Sequence, residues 1–303
     1  MNKWFKAFNS PKQCFADVLS LVSPLTFWRL YRERAKAQGF DKLYFSFSFD
    51  CDTTEDAKVV LEVDARMRSL GVVAAYAVPS EVLEKNRACY ETLALKGAEF
   101  LNHGYTTHTV WDNSKQRYQS IFFYDEVSQN SVRDDIIQGH EYLRNFLGAP
   151  PKGFRTPHFG TFQAHWDLKY LHLTLSQLGY SYSSSTVPTY SIWNGPLSIS
   201  NSIYEIPLSG IADRPRQIFD SWGFFAAPNR QWTSRDYVLQ AKNMAKLAVD
   251  LELVGILNYY ADPSQVHDQE SFYEGIECLT KISHPIGLDE ITKLNSELPI
   301  RSI

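Results

Sequence analysis

The chain has 303 residues, 44% hydrophobic and 21% charged, proportions that exclude a disordered polymer, a coiled coil and a multi-pass membrane protein. Its formal net charge is -4, and Lys and Arg are scattered without a stripe, which excludes the basic footprint of a nucleic-acid-binding protein. The length suits one large α/β domain or two small ones, and an aromatic content of 14% serves cores and sugar-binding clefts alike.

At the N-terminus Pro11, Lys12, Gln13, Asp17 and Pro24 interrupt every apolar run, so no secretion signal is predicted. No stretch approaches the roughly 20 apolar residues of a spanning helix, and the expectation is a cytoplasmic protein with no integral membrane segment. The stretch from Phe15 to Arg34 is amphipathic, which predicts a helical extension over residues 1–40 packed on a domain at 41–303, with a membrane surface as the alternative resting place. Cys14, Cys51, Cys89 and Cys278 lie far apart without CxxC pairing, as reduced thiols do.

Beyond residue 40, apolar runs at 42–49, 72–78, 98–101, 152–154, 181–184, 203–207 and 253–257 predict seven strands. Helical patterns at 54–70, 80–96, 131–147, 164–178, 234–250 and 263–282 alternate with them. Gly71, Gly97, Gly148 and Gly179 fall where helices end, and Ser80 and Ser131 open two helices as polar caps. Such alternation predicts one parallel α/β body. Polar clusters on several strand C-termini favour a barrel over an open sheet, which gathers its ligand contacts at one switch point. No Gly-rich phosphate loop follows the first strand.

Three strand exits carry chemistry. Phe49-Asp50-Cys51-Asp52 presents two carboxylates, with Cys51 alternating to the opposite face as a small buried filler. Asn102-His103-Gly104-Tyr105-Thr106-Thr107-His108 adds two imidazoles, and two Asp with two His suit zinc or a harder divalent ion. Phe154-Arg155-Thr156-Pro157-His158-Phe159-Gly160 supplies a guanidinium able to hold a carboxylate in place and ionised.

Taken in order, these motifs resemble those of the polysaccharide deacetylase (NodB-homology) superfamily, in the FDxD form of its peptidoglycan-deacetylase-like and allantoinase-like branch. The resemblance covers roughly residues 40 to 290 and is carried by three ordered motifs. It implies a distorted (β/α)7 TIM-like barrel in the α/β class. It also implies Asp50 as general base, Arg155 as its positioning partner, and Asp52, His103 and His108 as ligands of one divalent metal. Zinc is expected there, and cobalt, iron, nickel or manganese would fit the same donors. The backbone N–H of His158 is implied as an oxyanion donor. The implied reaction is hydrolysis of a carbon–nitrogen bond, removing an acetyl group from an amino sugar of a bacterial surface polysaccharide or its precursor. The expected partner is thus a carbohydrate, with a nucleotide- or lipid-linked sugar of O-antigen or capsule assembly suiting a cytoplasmic enzyme. Hydrolysis of another small amide, as by a deformylase or allantoinase, and a sugar-binding barrel without turnover are the alternatives.

Two departures from the family pattern set questions for the structure. His103 and His108 are five residues apart where relatives have four. On an ideal helix that is an offset of about 140° rather than about 40°, so a loop or π-bulge is expected between them. No imidazole stands at the end of the last strand, where relatives place a general acid. The sequence reads Asn258-Tyr259-Tyr260-Ala261-Asp262 there, leaving Tyr259, Asp262 or the nearby His267 as proton donors. Trp111, Tyr190, Trp193, Trp222 and Phe224 are candidates to wall a sugar cleft, with a place in the core as the favoured alternative for each. Oligomeric state is not legible.

Overall fold

The computed structural model describes residues 11–115, 117–227 and 232–294. Residues 1–10 and 295–303, parts of the expected extension and barrel domain, lie outside the described residues. The opening helices are α1 (Pro11–Val22) and α2 (Pro24–Ala37), split where Pro24 starts a new first turn. The central strands in chain order are β1 (Leu43–Asp50), β2 (Ala75–Val78), β3 (Glu99–Asn102), β6 (Gly153–Phe154), β7 (Tyr182–Ser183), β9 (Ile203–Glu205) and β10 (Gly255–Ala261). These seven are parallel neighbours in the order β10-β1-β2-β3-β6-β7-β9. They fall on the seven predicted runs, curled as a distorted (β/α) barrel.

Side-chain alternation explains the barrel's two faces. Phe45, Phe47 and Phe49 of β1 enter the main apolar cluster, where Phe47 packs on Phe272 at 5.7 Å between ring centroids. Ser46, Ser48 and Asp50 are buried on the other face, around the wholly buried Arg155. The barrel interior is therefore polar at the level of the site, and the apolar core lies between sheet and helices.

The covering helices are α3 (Thr54–Ser69), α4 (Ser80–Lys85), α5 (Arg87–Leu95), α6 (Gln129–Leu147), α7 (His165–Gln177), α8 (Ser191–Asn194), α9 (Ser234–Asp250), α10 (Pro263–Val266), α11 (Glu270–Thr280) and α12 (Leu288–Lys293). Two helices expected to be continuous are broken. Asn86 folds its amide onto the Val82 carbonyl between α4 and α5, and a turn at 267–269 separates α10 from α11. The cap expected at Ser131 is Ser128, whose hydroxyl accepts the Ser131 N–H at 3.1 Å, so α6 begins two residues earlier than its periodicity suggests. Gly71, Gly97, Gly148 and Gly179 all have φ between 71° and 80°, in keeping with their expected places after helices. Additions that the alternation did not predict are the antiparallel hairpin of β4 (Thr109–Asp112) and β5 (Arg117–Ser120), the edge strand β8 (Ser198–Ser200), a π-helix at Trp222–Ala226, and β11 (His284–Pro285) beside the start of β1.

Between β9 and β10 the ladder is replaced by side chains. Ser209, beyond β9, donates its N–H to the Asn258 carbonyl at 2.8 Å, and its hydroxyl accepts the Asn258 N–H at 3.0 Å. From α2, the Tyr31 hydroxyl donates to the Ile256 carbonyl at 2.5 Å and accepts the Ile256 N–H at 2.9 Å. Gly255, at φ 114°, leaves room for that ring, since a Cβ there would stand 2.9 Å from the Tyr31 oxygen. Trp28 adds a bond to the Ala212 carbonyl at 3.0 Å. No helix among the described residues is long and apolar enough to cross a membrane.

Candidate metal centre

The motif loop after β3 turns the five-residue histidine spacing into convergence without a π-bulge. Asn102 accepts the Gly104 N–H at 2.9 Å and donates to the Ile136 carbonyl and the Tyr180 hydroxyl at 3.0 and 2.8 Å. Gly104 takes φ 80°, and its carbonyl accepts the Ser80 N–H. Asp135 of α6 accepts the Thr106 N–H at 2.8 Å, and Glu81 of α4 accepts the Thr107 N–H at 2.7 Å. The loop is thus pinned by two helices, and its two imidazoles meet with ring centroids 4.7 Å apart.

Asp52 leaves the end of β1 to meet them. Its Oδ1 lies 2.9 Å from His108 Nε2 and 3.4 Å from His103 Nε2. His103 Nδ1 lies 2.8 Å from the Arg155 carbonyl, so this nitrogen carries the proton and Nε2 keeps its lone pair toward Asp52. Asp52 Oδ1 and His108 Nε2 are buried without a hydrogen-bond partner, an arrangement that is costly unless something positive sits between them. One donor atom from each of the three residues lies within 4.8 Å of the others. Neighbouring donors around a tetrahedral ion with bonds of about 2.0–2.1 Å are roughly 3.4 Å apart, so these residues fit a divalent metal. Burial alone would raise the Asp52 carboxyl, but positive charge at the two imidazole nitrogens it faces outweighs burial and holds it well below the usual range.

Arg155 stacks its guanidinium over Phe159 and Tyr260, at 4.9 and 5.7 Å. It donates to Asp50 Oδ1 at 3.0 Å and to the Ser48 hydroxyl at 2.7 Å. The expected contact is made, but its effect on Asp50 differs from the sequence reading. Burial raises the Asp50 pKa by more than Arg155 lowers it, leaving the carboxyl less acidic than usual.

Asp50, Asp52, His103, Phe159 and Tyr260 line a cleft of about 370 Å³. Asp262 lines it too. Ala261 is in register with Phe49, so the next residues, Asp262 and Asp50, stand level on neighbouring strands. The Asp262 N–H bonds the Ser221 hydroxyl at 2.9 Å, and Gln265 donates to its carboxylate. Burial, together with Asp56, Asp52, Asp50 and Asp220, lifts its pKa well above the ordinary carboxylate value. Asp220, held by the Gly223 N–H at 2.9 Å, is raised by burial to about 6. Asp56 also borders the cleft, but its oxygens are taken by Thr53 and Ser264. The other donors left open by the sequence stand elsewhere: Tyr259 points into the core toward the Gly210 carbonyl, and His267 pairs with Asp268 away from the cleft.

Of the candidate aromatic walls, Trp222 lines the cleft. Trp111 is exposed on the hairpin against Tyr118, Trp193 packs on Phe15, and Phe224 is in the core. Tyr190 closes the short 3-10 turn at Pro188–Tyr190, apart from the cleft lining. The walls include Tyr118, Phe123, Phe159 and Tyr260 instead. Cys51 is fully buried on the face opposite its two Asp neighbours.

Three histidines do more than the sequence suggested. The His158 imidazole lies 4.9 Å from His108 and 4.5 Å from the Phe123 ring, and burial lowers its pKa to about 4. His140 bonds the Tyr180 hydroxyl that receives Asn102, bracing the histidine loop at one remove. His172 contacts Glu205 at 2.9 Å, and the other oxygen of Glu205 accepts the N–H groups of Ser185 and Thr186. A glutamate inside an otherwise apolar strand was the signal available for this last anchor.

No protein-family model matches the chain, and no curated protein matches it in sequence. Among solved structures, a candidate polysaccharide deacetylase from Mycobacterium smegmatis is similar at 16% identity and a TM-score of 0.65, over 86% of this chain and 93% of that one. A candidate polysaccharide deacetylase from Pseudomonas aeruginosa PAO1 is similar at 11% identity and 0.64, with the same coverages of 86% and 93%. The allantoinase PuuE is similar at 9% identity and 0.61, over 83% and 89%. At these identities the likeness is one of fold, the fold that the three sequence motifs imply.

Proposed function

We propose that a chain with this barrel and this cleft is a metal-dependent hydrolase that removes the acetyl group from an N-acetylated amino sugar. The observation that carries the reading is the convergence of Asp52, His103 and His108, with Asp52 Oδ1 and His108 Nε2 buried and partnerless, beside the Asp50–Arg155 pair. Asp52, His103 and His108 would hold one divalent ion, zinc by preference, which when bound polarises the amide carbonyl and acidifies water. Asp50, fixed by Arg155 and less acidic than an ordinary carboxylate, takes the proton of the attacking water. The His158 backbone N–H, at φ 55°, serves the developing oxyanion. Collapse of the tetrahedral intermediate requires a proton for the departing amine. His158, lowered to about 4, is neutral near pH 7 and a poor source, whereas the Asp262 carboxyl, raised well above the ordinary carboxylate value, lines the same cleft and holds its proton more tightly than its neighbours Asp52 and Asp220 would in water. Asp262 is therefore assigned as the general acid.

Trp222 and Tyr118 are suited to stack on a pyranose ring, which supports a sugar substrate. A precursor of a bacterial surface polysaccharide, nucleotide- or lipid-linked, suits the reading best. The shared fold of the allantoinase PuuE favours a second reading, hydrolysis of a small cyclic amide in the same site. Elemental analysis of wild type beside His103→Ala and His108→Ala, with acetate release measured on N-acetylated sugar nucleotides and allantoin hydrolysis run in parallel, tests both. Near-stoichiometric metal and acetate release in wild type, both lost in the variants, are expected. Metal with turnover of allantoin alone selects the second reading, and metal with no turnover leaves a sugar-binding barrel. Failure to take up metal after supplementation sinks the mechanism.

A further inference from the structure

The two opening helices carry an apolar stripe that, apart from Trp193 against Phe15 at one end, the described residues leave exposed. Phe15, Val18, Leu21 and Val22 of α1 and Leu25 at the start of α2 are each at least 45% exposed. Phe15, Val18 and Val22 recur every three to four residues, so they share one face of α1, and Leu25 is exposed just past the break at the start of α2. The strip is not a sign of loose packing. Ala16 and Ser20 on the opposite side of α1 are buried, and the Trp193 indole holds the Lys12 carbonyl at 2.9 Å. Phe27, Trp28 and Tyr31 seat α2 in the barrel wall. The helices are anchored on one face and bare on the other.

Charge is divided in the same way. Residues 1–37 contain seven Lys and Arg against two acidic residues, while residues 38–303 contain 23 against 32. Lys12 and Arg29 are exposed near the two ends of the strip. A strip of this kind, flanked by cations on an otherwise acidic protein, has the make-up of a helix that lies in the headgroup layer. A second copy of the chain is a poorer occupant, because a two-fold interface through this strip would bring Lys12 and Arg29 against their own like charges.

We propose that the α1–α2 face docks the protein peripherally on an anionic lipid surface, with Phe15, Val18, Leu21, Val22 and Leu25 entering the boundary between headgroups and acyl chains. The acidic remainder of the molecule would be turned away from such a surface, which fixes one orientation. This inference stands apart from the reaction assigned to the cleft.

The experiment is co-sedimentation of the full chain with phosphatidylcholine vesicles made with and without phosphatidylglycerol. Binding is expected with the anionic vesicles, with release as salt is raised. Val18→Glu with Leu21→Glu should leave the protein in the supernatant. Lys12→Glu with Arg29→Glu, at exposed positions that do not endanger folding, should weaken binding at least about tenfold, since each cation near the surface is worth roughly fivefold. Thermal melts keep a folding defect distinct from lost docking. The proposal is overturned if wild type ignores anionic vesicles, if it binds both vesicle types equally, or if the charge-reversed variant binds as wild type does. It is also overturned if light scattering finds a dimer that Leu21→Glu dissolves, for then a second copy covers the strip.

Discussion

Along β10 and one residue past its end, Asn258, Tyr260 and Asp262 share one parity, and Leu257, Tyr259 and Ala261 share the other and pack in the core. Asp262→Asn is expected to lower kcat by roughly 10²–10⁴-fold while metal content stays unchanged. A general acid must act while protonated, so if the proposed role of the raised Asp262 carboxyl holds, the loss of wild-type rate should come on the alkaline limb of the pH profile, and Asp262→Asn should remove that limb. A limb that persists in the variant would transfer the role to Asp220, whose carboxyl is raised to about 6. The same alternation was available in the sequence and would have favoured Asp262 over Tyr259. What the sequence could not supply was the burial and the negative neighbours that raise this carboxyl, because Asp56, Asp52, Asp50 and Asp220 reach it from other parts of the chain.

At the level of elements, the histidine loop depends on close approach to α6. A Cβ on Gly139 would stand 2.4 Å from Asn102 Oδ1 and 2.8 Å from the Gly104 carbonyl carbon. Gly139→Ala should therefore displace the loop and weaken metal binding by tenfold or more in a competition titration, although it touches no ligand. At the seam, Tyr31→Phe leaves both polar backbone groups of Ile256 without that hydroxyl and should cost about 1–3 kcal/mol in urea unfolding. The seven parallel strands were legible because buried strands read as short apolar runs separated by helical periodicity. The convergence of His103 and His108 was not, because it rests on Glu81 and Asp135, held by helices whose placement no local pattern gives. The hairpin of β4 and β5 was missed for a related reason: its residues are half-buried or exposed, and carry no apolar run.

For the whole molecule, one buried carboxyl links stability to pH. Glu99, which accepts the Tyr182 hydroxyl, is raised by burial from 4.5 to about 7. The folded state binds this proton more tightly than the unfolded chain, so the contribution is complete below about pH 4.5 and is lost as pH rises to about 7. Urea midpoints should fall across that window, and Glu99→Gln should flatten part of the fall. A divalent metal should act oppositely. At about 100 times its Kd it should add roughly 2.7 kcal/mol to wild type and nothing to His108→Ala, as thermal melts would report.

The seam also bears on how the molecule is made. Tyr31 meets its partner on Ile256 across 225 residues of sequence, so this staple waits until the 225 residues that follow Tyr31 have been made. Until then β10 is missing and its place beside β1 stands open to other strands. Birth order thus leaves α2 waiting for β10, and a nascent chain stalled before residue 255 is expected to be the form that chaperones hold.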